Sequence, residues 1–227
     1  MAVLEGGISA ELLGIGTQTG SPLHSTGKPV PYSTLGHYRL CANTQTMAAG
    51  LAANAQVFYI RWTDATRLLV LLNLQVRFQP LILFTAATVT DFGFDMFKAT
   101  SVSAGGAGAA IAGTAISKMR STMPASLLGA TDVRISTTTL LTALTTLDTN
   151  AIEQSIGDTQ RVNPAAATEE QRVNDPTLIY QPDIASGEHP LVLSQNEGVV
   201  IRNRAVWPVA GTGIIQVRAS WAEVTAY

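Results

Sequence analysis

The sequence predicts an all-β protein, an antiparallel β-sandwich (jelly-roll-like) with an extended N-terminal arm and long loops. Two segments, Leu72 to Gln79 and Ile214 to Val224, alternate apolar and polar residues with a period of two, which places one face of each strand on a core. Short apolar runs separated by turns that contain Gly and Pro recur after residue 189, as in sandwiches and jelly rolls. We expect a sandwich domain over residues 47–227 and an arm over residues 1–46.

The arm is rich in Gly, Ser, Thr and Pro and has no sustained periodicity. Because it can bury little apolar area by itself, we expect it to lie on a neighbouring subunit. One short strand is predicted within it, near His37 to Ala42. The start of the chain lacks a basic region followed by an apolar one, and no apolar stretch in the chain approaches the ~20 residues of a membrane span. Neither a secretory signal nor a membrane partner is therefore expected.

Strands are predicted in order along the remaining chain wherever β-branched, aromatic or alternating apolar residues concentrate. They cover Gln56–Trp62, Leu72–Gln79, Asp91–Lys98, Val133–Ile135, His189–Leu193, Val199–Val206 and Ile214–Val224. In the second strand, Leu72, Leu74, Val76 and Phe78 should face the core, and Pro80 should end the strand or mark a sheet edge. The last three strands are joined by tight turns, which predicts that they pair with one another as a meander.

Two long excursions interrupt this pattern. The first, near residues 101–130, begins with a low-complexity run of Gly, Ala and Ser, and the second, near residues 158–186, is polar and contains three prolines. Between the excursions, Leu140, Leu144 and Leu147 stand at helical spacing among threonines, which are poor helix formers. A short helix and an irregular loop are equally expected there.

The composition indicates a surface that other subunits cover. Hydrophobic residues make up 46% of the chain and charged residues only 13%, about half the ~25% that is usual in soluble domains. Lysine, which is depleted at protein interfaces, occurs only at Lys28, Lys98 and Lys118. A net charge of −2 and the lack of any run of basic residues argue against direct nucleic-acid binding.

The sequence contains no motif of catalysis, cofactor binding or metal binding. The Gly106-x-Gly108 pair lacks the third glycine of a dinucleotide fingerprint, because Ile111 stands there. The three histidines are not spaced as metal ligands, and Cys41 is the only cysteine. Glu188 and His189 are adjacent and would point to opposite faces of a strand, so a polar turn is favoured over an acid–base pair. We therefore expect neither an enzyme nor a cofactor or metal site.

Aromatic residues are the candidate contact residues. Trp207 lies beside the Pro208 turn, outside any regular alternation, and could belong to a glycan-binding platform or to a packed core or interface. Trp207 and Tyr227, with Tyr32 and His37 of the predicted arm, form the candidate interface.

Several short blocks resemble a group of proteins found in tailed-bacteriophage genomes, and the resemblance covers roughly residues 55 to 227. The blocks are Arg61–Arg67, Phe92–Ala99, Met119–Thr122, Gly187–Leu193, Asn196–Gly198 and Trp221–Val224. The resemblance implies a virion structural protein, a capsid cement or decoration protein that assembles in the host cytoplasm. Its expected partners are the major capsid protein and further copies of itself, with a trimer favoured. Two rivals stay open: a tail or fibre component that binds a host glycan, and a virion-borne glycan hydrolase.

Overall fold

The fold is an antiparallel β-sandwich of two sheets, which confirms the predicted fold class. The computed structural model describes residues 36–48, 50–82, 92–101, 106–141, 146–155, 177–183, 186–207, 211–225 and 227. The candidate residue Tyr32, the rest of the predicted arm up to residue 35, and residues 156–176 of the second excursion lie outside these ranges. No helix within the described ranges is long and apolar enough to cross a membrane.

Each sheet contains seven of the fourteen strands. The first sheet has the order β11 (Thr177–Tyr180), β4 (Leu68–Ile82), β14 (Thr212–Val224), β1 (His37–Asn43) and β7 (Ser117–Lys118), with β12 (Leu191–Leu193) also on β4 and β2 (Met47–Ala48) also on β14. The second has the order β10 (Glu153–Gln154), β5 (Phe94–Ser101), β13 (Gly198–Asn203), β3 (Gln56–Arg61), β8 (Val133–Ile135) and β6 (Ala109–Ala110), with β9 (Thr146–Leu147) also on β5.

The predicted meander at the C-terminus is wrong. Strand β12 pairs with β4 in the first sheet, β13 lies between β5 and β3 in the second, and β14 returns to the first sheet between β4 and β1. Each connection therefore crosses the sandwich instead of folding a strand back on its predecessor. The alternation of apolar residues identifies which face of a strand is buried, but it is the same whichever sheet the strand joins.

The strand predicted inside the arm belongs to the sandwich. Strand β1 pairs with β14 over seven residues, and Tyr38 and Leu40 are fully buried between the sheets. Residues 37–43 are therefore part of the domain, and the predicted boundary at residue 46 is too far along the chain. The residues of His37–Ala42 predict a strand but not its partner, and the pairing with β14 is what places β1 in the sandwich.

Strand β4 is longer than predicted, and its register against β14 shifts twice, once near Leu81 and once at Leu72. Its register against β14 shifts where Ser220 pairs with Asn73 and Trp221 with Leu71, so Leu72 is the extra residue of a β-bulge. Leu72 consequently packs on the outer side of the sheet, beside Val70 and Ala222, and not in the predicted core row. Strand β4 continues past Pro80 to Ile82. Among the described residues, Pro80 pairs with Gly213 of β14, and β11 pairs with β4 as far as Arg77.

The core between the sheets is built from large aromatic residues. Trp207 packs against Phe78 and Phe92, with ring centroids 4.7 and 5.5 Å away. Gly213 lies against the same cluster: a Cβ atom there would stand 2.2 Å from Phe78 Cε2, so only glycine fits without moving the ring. The first excursion contributes to this core as well, through Ile111, Ile116 and Leu128. Near Leu140 the described residues form a bridge from Leu141 to Ala107 and then β9, with residues 142–145 outside the description.

Candidate functional site

Trp207 is not a surface residue, contrary to the interface prediction. Its side chain is 0% exposed, as is that of Trp221, and that of Trp62 is 1% exposed. The chain has three tryptophans, and all of them are used in packing. A long-range contact also holds the backbone here, since the N–H of Trp207 donates to Leu51 O over 2.8 Å.

The other described candidate residues lie on the surface but apart from each other in the fold. Tyr227 is 50% exposed, and its ring meets the ring of His189 edge-on at a centroid distance of 5.1 Å. His37 is half-buried at the start of β1, and burial, with a smaller contribution from Arg39, lowers the pKa of its imidazole. Tyr32 lies outside the described residues.

A polar cleft of about 490 Å³ opens beside β11 and β12, where the two sheets meet. The carboxylates of Asp148, Glu153 and Glu188 line it, and we refer to it as the acidic cleft. Its single lysine, Lys98, already lies 2.7 Å from a carboxylate oxygen of Glu197. The lining therefore carries an excess of negative charge.

Glu188 and His189 both line the acidic cleft, although adjacent residues within a strand would point to opposite faces of the sheet. They precede β12 and are not part of it. The carboxylate of Glu188 accepts the backbone N–H of Asp183 over 2.7 Å, and His189 Nδ1 contacts Pro190 O at 2.7 Å. Both side chains thus take part in the local turn, as the polar-turn interpretation predicts. Within the described ranges, no group of three or more His, Cys, Asp or Glu is placed to hold a metal ion.

The second candidate surface is the outer side of the first sheet. The cross-strand registers align its residues in three rows. The rows are Thr177–Arg77–Gln216–Asn43, Ile179–Gln75–Arg218–Cys41 and Asn73–Ser220–Arg39. We call these rows the arginine face; they contain no Asp or Glu.

Three arginines cross this face on a diagonal. They stand on three neighbouring strands: Arg77 on β4, Arg218 on β14 and Arg39 on β1. Arg218 is two residues from Gln216, which pairs with Arg77, and Arg39 is two residues from Cys41, which pairs with Arg218. Such diagonal neighbours are about 7 to 8 Å apart, within reach of long side chains. Arg77 and Arg218 are exposed and Arg39 is half-buried. No local pattern predicts this cluster, because its three residues stand far apart in the sequence.

Neutral polar groups surround the arginines. Gln216 Nε2 donates to Gln79 Oε1 over 3.0 Å, and Asn73 Nδ2 donates to Gln181 Oε1 over 3.2 Å. A shallow depression of about 280 Å³ lies between Cys41, Arg77 and Arg218. The described rows of this face therefore combine three arginines with many neutral hydrogen-bonding groups.

The blocks that carry the phage resemblance hold the ends of the sandwich together. Arg61 Nη2 lies 3.1 Å from Asp132 Oδ1, and Trp62 Nε1 donates to Arg67 O over 2.7 Å. The exposed carboxylate of Asp64 accepts the N–H groups of Thr66 and Arg67, and these hydrogen bonds lower its pKa. These contacts fix the corner between β3 and β4.

A second set of hydrogen bonds surrounds the buried carboxylate of Glu223 in β14. It accepts hydrogen bonds from the Ser126 hydroxyl, the Leu127 N–H and Trp221 Nε1. Burial nevertheless outweighs these bonds and raises the pKa of Glu223. The hydroxyl of Tyr38 donates to carbonyls of the same loop, and burial raises its pKa to about 12.

Comparisons of this chain with protein-family models, with curated proteins and with solved structures find no match.

Proposed function

We propose that this chain is a structural protein of a tailed-phage virion, a capsid cement or decoration protein that stabilises the major capsid lattice through protein–protein contacts. The observation that carries the proposal is the arginine face, whose described rows hold three arginines among Gln, Asn, Ser, Thr, Ile and Cys and contain no carboxylate. Arginine is enriched and lysine depleted at protein interfaces. A flat sheet of this composition suits a protein partner.

The low charge of the chain supports the same role. Only 13% of the residues are charged. Some of these residues form ion pairs within the fold, as Arg61 does with Asp132 at 3.1 Å and Arg204 with Asp95 at 3.0 Å. Few charged side chains are then left for the surface. Contacts of standard size, ~1,600 Å² each, repeated around a shell would then resist internal pressure without any single strong site.

The buried tryptophans weaken the glycan-binding alternative. A sugar platform needs an exposed aromatic face, and Trp62, Trp207 and Trp221 are at most 1% exposed. For a glycan-binding tail component, the exposed aromatic ring beside the acidic cleft is that of Tyr227, which meets His189 of the cleft edge-on. Such a component would also occur in few copies per virion.

Binding to phage heads that lack the protein tests the proposal. Purified full-length protein should co-sediment with such heads, whereas a variant that starts at Gly36 should fold and bind more weakly, because the proposed arm is gone. Truncation at this point keeps β1, which pairs with both β14 and β7. If the full-length protein does not bind heads, the capsid role is wrong; equal binding by the truncated protein would contradict the role of the arm alone.

A further inference from the structure

We propose that residues 29–35, directly before Gly36, lie across the outer side of the first sheet of their own chain and cover an apolar row there. The arm then has two parts: a docked part next to the sandwich, and residues 1–28, which are left for a neighbouring subunit. This contact is independent of any role in a virion and can be tested with purified protein.

The apolar row lies on the same side of the sheet as the arginine face. The registers align one residue from each of four neighbouring strands. We call these residues the outer row: Val192 of β12, Val70 of β4, Ala222 of β14 and His37 of β1. Leu68 and Val224 pair beside the row, and the apolar members of the row pack with them outside the core between the sheets.

The middle of the outer row is buried. Val70 and Ala222 are 0% exposed, and Val224 beside them is 1% exposed. Side chains of a strand stand roughly perpendicular to the sheet, so neighbours in the same sheet flank these groups without covering their tips. The described apolar residues that complete this cluster are all flanking neighbours of this kind, namely Leu68, Leu72 and Val192. The burial therefore points to a further segment that lies over the row.

The chain before Gly36 reaches the sheet at one end of this row. The N–H of Glu223 donates to Gly36 O over 3.2 Å, and the next residue, His37, is the β1 member of the row. Neighbouring strands are about 4.8 Å apart and an extended chain covers about 3.3 Å per residue, so about five residues are enough to cross from β1 to β12. The segment 29–35 has this length.

The composition of residues 29–35 suits an apolar surface. They carry no charge, and they include Val30, Tyr32 and Leu35. Pro31 favours an extended backbone for the residue before it, as a chain that crosses several strands requires. The candidate interface residue Tyr32 then contacts its own chain and not a partner.

His37 gives a second, independent indication of a cover. Its Nε2 atom is buried and has no hydrogen-bond partner among the described residues, although buried polar groups are normally hydrogen-bonded. A hydroxyl or peptide group of a segment that passes over the β1 end of the row can satisfy this atom.

The other undescribed segments near this sheet suit the position less well. Residues 156–176 end at Thr177, which pairs with Arg77, far along β4 from Val70. They also contain six charged residues, whose burial over an apolar row would be costly. Residues 184–185 are too few to span the row.

Thiol labelling tests the cover. In a Cys41→Ser background, Ala222→Cys places a single thiol in the outer row. Its rate of reaction with a maleimide is compared in the full-length chain and in chains that start at Pro29 and at Gly36. The thiol should react equally slowly in the first two chains and at least about tenfold faster in the chain from Gly36, because only that chain lacks the cover.

The natural Cys41 is the matched control. It is exposed and lies on the same side of the sheet, in the arginine face, so its reaction rate should be the same in the three chains that lack the cysteine substitutions. Val192→Cys repeats the measurement at the β12 end of the row, and it replaces Ala222→Cys if that variant does not fold. Circular dichroism shows whether each chain is folded.

Point substitutions locate the cover within the arm. In the full-length chain, Tyr32→Asp combined with Leu35→Asp should speed the labelling at position 222, because two carboxylates cannot be buried over the row. Ser33→Asp combined with Thr34→Asp adds the same charge and should have a smaller effect.

Equal labelling rates in the full-length chain and the folded chain from Gly36, whether fast or slow, would overturn the proposal. So would a chain from Pro29 that reacts as fast as the chain from Gly36, or an unchanged rate in the folded Tyr32→Asp, Leu35→Asp variant. Protection that is lost on dilution from about 100 to about 1 µM would mean that a second copy supplies the cover, which would overturn it as well. None of these results depends on phage heads, so they leave the capsid proposal to its own test.

Discussion

At the scale of single residues, the position of Trp207 decides between packing and recognition. Its ring lies against Phe78 and Phe92 and is fully buried. Replacement by alanine should therefore lower the free energy of unfolding by about 3–5 kcal/mol, the cost of emptying a large core site. Chemical denaturation measures this, with Tyr227→Ala as the exposed aromatic control, for which a change within about 0.5 kcal/mol is expected. A stable Trp207→Ala variant would mean that the tryptophan is not part of the core.

Glu223 gives the fold a dependence on pH of known sign. Because burial raises its pKa above the ordinary value of 4.5, the folded state holds the proton more tightly than the unfolded chain does. Its contribution to stability is therefore fully present below pH 4.5 and is lost as the pH rises through the raised pKa of the folded state. Glu223→Gln keeps an acceptor for Ser126 and Trp221 but does not titrate.

The difference in free energy of unfolding between the wild type and Glu223→Gln should therefore move in favour of the variant as the pH rises from about 4 to 7. Denaturation of both proteins at several pH values measures it. Parallel pH profiles for the wild type and Glu223→Gln would contradict the account of this buried carboxylate.

At the scale of the strands, the alternation of apolar and polar residues predicted where several strands lie, but it did not predict which strands pair. The predicted strands at Gln56–Trp62 and Val133–Ile135 match β3 and β8, and Ile214–Val224 matches β14. The alternation of apolar and polar residues does not indicate that β12 and β14 belong to one sheet and β13 to the other. Nor could it reveal the bulge at Leu72, because a bulge is defined against the partner strand. The arginine face depends on these pairings, and so it was not predictable either.

Strand β1 makes the boundary of the domain testable. A chain that starts at Gly36 should unfold cooperatively like the full-length protein, whereas a chain that starts at Met47 loses Tyr38, which stacks on Trp221, and Leu40 from the core. The loss of two large buried side chains, at about 2–5 kcal/mol each, is comparable to the whole stability of a typical domain. Thermal unfolding followed by near-ultraviolet circular dichroism compares the two chains. A well-folded chain from Met47 would contradict the placement of β1 in the sandwich.

At the scale of the whole molecule, charge is distributed unevenly over a nearly neutral chain. Among the described residues, the rows of the arginine face contain three arginines and no Asp or Glu, whereas Asp148, Glu153 and Glu188 line the acidic cleft. Such a distribution favours association in one orientation, because electrostatic complementarity sets register and suppresses wrong contacts. A protein that repeats around a shell requires this property: many identical contacts of moderate strength, each formed in the same geometry.

The number of copies per virion tests the proposed function most directly. Quantitative mass spectrometry of purified particles, calibrated against the major capsid protein, measures it. A cement protein should be present in hundreds of copies per particle and should stay with isolated heads when the tails are removed. Absence from the virion, or a few copies that follow the tail, would contradict the capsid role.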